Sequence, residues 1–218
     1  MARRADPGRW ILWAAVAAGA SYMAAWTLPL GFVAAATWKG TGVGLLALYA
    51  GWSARRLDGW LICAVMAFGA LGDVLLETRG LVVGAVAFLI GHLIAIALYL
   101  RNRRPTPTRS QVLLAGLVVP VTVGVAWALP GDRTSAAGVA IYALGLSVMA
   151  ATAWLSRFPR YRVGLGAMMF VASDLLIFAR AGPLSEAPWI GYAIWTLYFA
   201  GQALICDGVV RTLAARRG

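Results

Sequence analysis

DGWLICAVMAFGALGDVLLE, residues Asp58–Glu77, runs for twenty positions with one charged side chain, Asp73, between its acidic ends. A bilayer's hydrocarbon core is about 30 Å thick, and about 20 residues at a 1.5 Å rise cross it as a helix. The stretch therefore reads as a membrane-crossing helix with a carboxyl group buried in it. The rest of the chain has the same texture. Of 218 residues, 61% are hydrophobic and only 12% charged. A soluble domain of this length cannot bury so much apolar surface, so lipid must solvate it. The fold class is an all-α, polytopic membrane protein.

Seven further runs of spanning length lie between polar breaks, which gives an eight-transmembrane-helix bundle: Trp10–Leu28, Gly31–Trp52, Asp58–Glu77, Gly80–Leu100, Ser110–Leu129, Ala136–Ser156, Tyr161–Ala181 and Pro188–Arg211. The breaks carry turn chemistry, as in Pro29-Leu30-Gly31, Pro130-Gly131-Asp132 and Gly182-Pro183. Interior glycines, such as those of Thr41-Gly42-Val43-Gly44 and Gly164-Leu165-Gly166-Ala167, read as close helix packing. The first apolar run is of spanning length and has no convincing cleavage site, so it is expected to be a span rather than a signal peptide. Residues 1–9 are then an N-terminal tail, 10–211 one membrane domain and 212–218 a C-terminal tail.

The formal net charge of +11 suggests nucleic acid in a soluble protein, but here it marks topology. Fifteen arginines fall on alternate breaks: Arg3, Arg4, Arg9; Arg55, Arg56; Arg101, Arg103, Arg104, Arg109; Arg157, Arg160, Arg162; Arg211, Arg216, Arg217. The intervening breaks hold only Arg79, Arg133 and Arg180. That bias predicts an inner (plasma) membrane protein with both tails cytoplasmic and no nucleic-acid partner. Two cysteines inside apolar runs, no C-x-x-C and one histidine argue against a disulfide framework or a zinc centre.

A charged group at membrane depth costs at least about 2.5–3.5 kcal/mol, so such groups mark function. The candidates are Lys39 in the second span, Asp73 in the third, His92 in the fourth, Asp174 in the seventh, and Tyr198 with Gln202 in the eighth; Glu77 closes the third span, one turn from Asp73 on the same face. Counting helical rise places Asp73 about 6 Å, Asp174 about 10 Å and Lys39 about 12 Å from the outer ends of their spans, with His92 and Tyr198 somewhat deeper. A shared polar cavity would require that agreement. Each has a plainer role as well: Lys39 as counter-ion to an aspartate, Glu77 as an interfacial acid beside Arg79, His92 and Gln202 as interhelical hydrogen bonders, Tyr198 as packing. Two aspartates at similar depth have no comparable structural excuse. Gly72-Asp73-Val74-Leu75-Leu76 and Ser173-Asp174-Leu175-Leu176-Ile177 also share one pattern in the third helix of each four-helix half, consistent with a parallel duplication.

A carboxyl group in a low dielectric tends to hold its proton, and of two that approach each other one ionises while the other resists. Such a pair supplies a general acid and a general base at one pH. This suits hydrolysis of an acid-labile bond in a lipid. It equally suits the relay of a proton-coupled small-molecule transporter, and a non-catalytic lipid-binding protein is a third reading.

Five motifs in order carry a resemblance. Thr37-Trp38-Lys39, GALGDVLLE (69–77), AFLIGHLIAIALYL (87–100) with Phe88 and His92, FVASDLLI (170–177), and LYFAGQALICDG (197–208) with Tyr198 and Gln202 resemble the YhhN family, the lysoplasmalogenase family of membrane proteins. Gly40 departs from the pattern, where proline is expected after the lysine. The resemblance implies an eight-helix hydrolase that cleaves the vinyl-ether bond of a single-chain ether lipid, lysoplasmalogen, with water. It implies Asp73 and Asp174 as the catalytic pair; which of them is the acid and which the base stays open, with the deeper Asp174 preferred as the proton donor. Lys39, Glu77, His92, Tyr198 and Gln202 form the substrate-binding set, and no cofactor or metal is called for.

Overall fold

The computed structural model describes residues 7–216. Within them the chain forms eight α-helices: α1 (Pro7–Ser21), α2 (Phe32–Ser53), α3 (Leu57–Arg79), α4 (Leu81–Arg101), α5 (Arg109–Ala128), α6 (Ala136–Leu155), α7 (Leu165–Arg180) and α8 (Ile190–Ala215). Backbone carbonyls and amides have no water to bond in hydrocarbon, so a helix, which satisfies them internally, is the expected form. The N-terminal tail expected over 1–9 lies outside the described residues up to residue 6, and Pro7 opens α1. Of the C-terminal tail expected over 212–218, residues 217 and 218 lie outside them, and α8 continues through Ala215.

Six helices among the described residues, α3 to α8, with α6 taken from Arg133 and α7 from Arg160 to include the turns that lead into them, are long and apolar enough to cross a membrane, so the expected count of eight is not reached. The shortfall falls on the first two spans. Residues expected as one span, Trp10–Leu28, divide into a 15-residue α1 and a 3-10 turn, Tyr22–Trp26. A helix of that length extends only about 22 Å. The second, α2, has 22 residues, but Lys39 and four glycines dilute its apolar content.

The chain groups into two compact units, residues 1–94 with 209–218 and residues 95–208. In the first, α2 packs along α3 around Val43, Leu46, Ile62 and Met66, all fully buried. Glycines set the spacing. A Cβ on Gly40 would lie 2.7 Å from Val74 Cγ2, and one on Gly72 would lie 2.7 Å from the Phe88 ring. Gly80, between α3 and α4, has φ +89°, a conformation that side-chain-bearing residues avoid.

In the second unit α5 opens on a capping box: Thr108 accepts from the Gln111 amide while the Gln111 side chain accepts from the Thr108 amide. Before α6, Asp132 caps the short turn Arg133–Ser135; the Thr134 hydroxyl, at 2.6 Å, and the Thr134 amide, at 2.9 Å, hold its carboxyl below the usual range. Ala126, Ala143 and Phe178 form a core where α5, α6 and α7 meet. A π-helical turn, Arg160–Gly164, leads into α7. Where α7 crosses α8, backbone touches backbone: a Cβ on Gly166 would lie 2.6 Å from the Gly201 carbonyl oxygen, and one on Gly201 would lie 2.7 Å from that of Gly166.

Candidate functional site

Several of the candidate polar residues adjoin a glycine at a helix crossing. In the first unit the pairs are Lys39 with Gly40, Asp73 with Gly72, and His92 with Gly91. Gly40 is buried against Val74 and Ala70, Gly72 lies under Phe88, and Gly91 faces Phe68. Close approach of two backbones shields the neighbouring side chain from lipid. This also accounts for Gly40 where proline was expected: the α2–α3 contact leaves no room for a side chain.

Lys39 Nζ donates to Glu77 Oε1 at 2.6 Å. The lysine's ion pair is therefore with the acid that the sequence left to the interface. Glu77 keeps 39% of its side chain exposed and Lys39 15%, so the two charges meet without full desolvation. Asp73, one turn deeper, is 1% exposed, and His92 on α4 is 4% exposed. Tyr22, in the turn after α1, is buried in the same unit, edge-on to Trp26; nothing in the sequence beyond its place near the end of the first span marked it. Because the ion pair is partly solvated, Glu77→Gln is expected to lower stability by no more than about 1 kcal/mol, read as a small shift in thermal unfolding in detergent.

In the second unit Tyr142 on α6 donates its hydroxyl to Asp174 Oδ2 at 2.6 Å, and Asp174 is 5% exposed. Tyr142 was not among the sequence candidates. Depth could have found it: it lies about 9 Å along α6 from Ala136, close to the depth counted for Asp174. Ser173 donates to the Ile194 carbonyl at 3.0 Å, which ties α7 to α8 beside the aspartate. Tyr198 sits edge-on to Phe170, with ring centroids 5.1 Å apart, and against Trp195. Gln202, next to Gly201, is buried. Asp73, Lys39, Glu77 and His92 thus belong to the first unit, and Asp174, Tyr198 and Gln202 to the second. No three His, Cys, Asp or Glu side chains are grouped to hold a metal ion among the described residues.

Six helices long and apolar enough to cross a membrane, with buried carboxyl groups on two of them, mark a multi-pass membrane protein. The family model described as the YhhN family matches residues 34–209, and the chain belongs to that family. It is 33% identical over 157 residues to proteins named lysoplasmalogenase from Mycobacterium bovis (strain ATCC BAA-935 / AF2122/97) and Mycobacterium tuberculosis (strain CDC 1551 / Oshkosh). Each match covers 68% of this chain and 59% of the relative, so the chain spans about three fifths of the length of the curated relatives it matches. No solved structure matches it.

Proposed function

We propose that this protein is a lysoplasmalogenase-like hydrolase that cleaves the vinyl-ether bond of a single-chain ether phospholipid, with Asp73 and Asp174 as its acid and base. The observation that carries the reading is that the aspartates of the two family signatures, Gly72-Asp73 and Ser173-Asp174, are both buried within apolar helices. The named relatives support the substrate class.

A vinyl ether resists base and hydrolyses by protonation at carbon. One aspartic acid donates that proton and leaves an oxocarbenium ion. The other, ionised, stabilises the cation and takes a proton from the attacking water. The resulting hemiacetal collapses to a fatty aldehyde and a glycerophospho-alcohol, so one water is consumed for each ether bond broken. His92, Tyr198 and Gln202 position water or the ether oxygen, and the Lys39–Glu77 pair borders the headgroup. In this reading α1 and α2 complete eight crossings of one inner-membrane domain, with both tails on the arginine-rich cytoplasmic side. Two lengths support it: α1 with its 3-10 turn extends about 32 Å, and α2 about 33 Å.

Purified protein in detergent is expected to release aldehyde from lysoplasmenyl-ethanolamine or -choline, followed with a coupled aldehyde dehydrogenase. A proton-coupled transporter releases none, and absence of aldehyde with every headgroup would sink the proposal. Tyr142→Phe removes a hydrogen bond to the Asp174 carboxyl and keeps the ring. Such a bond contributes about 1 kcal/mol to a neutral carboxyl and about 1.5 kcal/mol or more to an ionised one, so turnover is expected to fall about five- to tenfold.

A further inference from the structure

We propose that the cleft between the α4–α5 and α6–α7 loops binds a phosphate group. Its walls are Arg103, Arg104, Pro105 and Arg157, around a space of about 510 Å³. The two loops are clasped by backbone. Arg103 and Ser156 form an antiparallel bridge, the Arg104 amide donates to the Leu155 carbonyl at 3.1 Å, and the Arg157 amide donates to the Asn102 carbonyl at 2.8 Å. Beneath the clasp, Phe158 is fully buried and meets Tyr99 edge-on.

Two of the three arginines are pinned as well as gathered. Arg157 Nε donates to the Arg103 carbonyl at 3.1 Å, and Arg104 Nη2 donates to the Ser156 carbonyl at 3.2 Å. Arg104 Nε is buried with no hydrogen-bond partner. Residues 101–109 and 156–162 hold seven arginines and no acid. The ion pair of Arg162 with Asp207, at 3.1 Å, does not involve the cleft residues.

Membrane topology asks only for positive charge somewhere in these loops. It does not ask for three arginines around one space, two of them with guanidinium groups held by backbone carbonyls, where like charges repel. A bridging anion relieves that repulsion. Phosphate suits it best, because the planar guanidinium fork pairs with two phosphate oxygens and a pinned arginine loses little freedom on binding. Basic pockets between membrane helices on the cytoplasmic side take lipid headgroups in this way. The cleft lies at the end of α7 opposite Asp174, with about 14 Å of helix between Leu165 and Asp174. It is therefore separate from the proposed hydrolytic chemistry and does not depend on it.

The test uses the full chain, delipidated in detergent, with native mass spectrometry of bound phosphatidylglycerol and of diacylglycerol, which lacks the phosphate. Phosphatidylglycerol is expected to be retained and diacylglycerol is not. Arg103→Gln should weaken retention about fivefold and Arg103→Gln/Arg157→Gln about thirtyfold, whereas Arg9→Gln, with the same charge loss as the single variant, should leave it unchanged. Millimolar inorganic phosphate separates the sources. Displacement of the lipid shows that free phosphate suffices, and persistence of the lipid assigns the site to a phospholipid headgroup. Equal retention of the two lipids, or undiminished retention by the variants, overturns the proposal. Should the double variant not fold, Arg103→Gln decides alone, because its exposed side chain makes no hydrogen bond or ion pair among the described residues.

Discussion

Asp174→Asn is expected to lower aldehyde release by about a thousandfold, and Asp73→Asn by a similar factor, within the range that one general acid or base contributes. Asparagine keeps the size and one oxygen of the aspartate, and Tyr142 can still donate to it. The loss would therefore report missing proton chemistry and not a collapsed helix. The double variant should be little worse than either single one, because groups that act as a unit are strongly non-additive. Initial rates with lysoplasmenyl-ethanolamine, beside matched thermal unfolding curves, decide the matter. Full activity in either variant would remove that aspartate from the mechanism.

The largest loss of stability is expected at the α7–α8 crossing. Gly166→Ala places a methyl group 2.6 Å from the Gly201 carbonyl oxygen and 3.1 Å from both Ile205 Cγ1 and Leu204 Cβ. Gly201→Ala places one 2.7 Å from the Gly166 carbonyl oxygen. Neither obstruction is the far end of a flexible side chain, so the helices must separate, at about 3 kcal/mol for each substitution. The combined variant should cost less than the sum, because one displacement relieves both clashes. Gly138→Ala on α6, where nothing lies within 4 Å, is the control and should be neutral or slightly stabilising. Thermal unfolding in detergent, followed by tryptophan fluorescence, separates these outcomes.

Much of this architecture is legible in the sequence because lipid leaves few choices. The expected runs Asp58–Glu77, Gly80–Leu100, Ser110–Leu129 and Ala136–Ser156 differ from α3, α4, α5 and α6 by at most two residues at either end. Hydropathy alone fixes those elements, since an apolar run in hydrocarbon has no alternative to a helix. It fails where the chain is less apolar. The break after Ser21 and the Lys39 region of α2 both follow from polar and small residues that a search for long apolar runs passes over. The π-helical entry to α7, where Gly164 packs against Trp154 of α6, left no signal in a search for apolar runs.

The candidate residues divide along the same line. Charged groups such as Asp73 and Asp174 are visible because their cost in lipid is large. The partners that hold them are not, because tyrosine is at home in a membrane for several unrelated reasons. Tyr142 therefore carries no mark in the sequence, and only the packing of α6 against α7 gives it its place. Likewise, Glu77 as the partner of Lys39 is a fact of how α2 lies on α3. The i, i+4 spacing of Asp73 and Glu77 marked the shared face, but not which acid the lysine reaches.

The short bond from the Tyr142 phenol to Asp174 also makes the tyrosine a spectroscopic witness. A phenol that donates to a carboxylate vibrates and absorbs differently from one that donates to a neutral acid. Subtracting the spectrum of Tyr142→Phe from that of the parent chain isolates this ring from the other six tyrosines. The protonation of one membrane-embedded acid can then be followed optically, in the resting protein and without any lipid substrate.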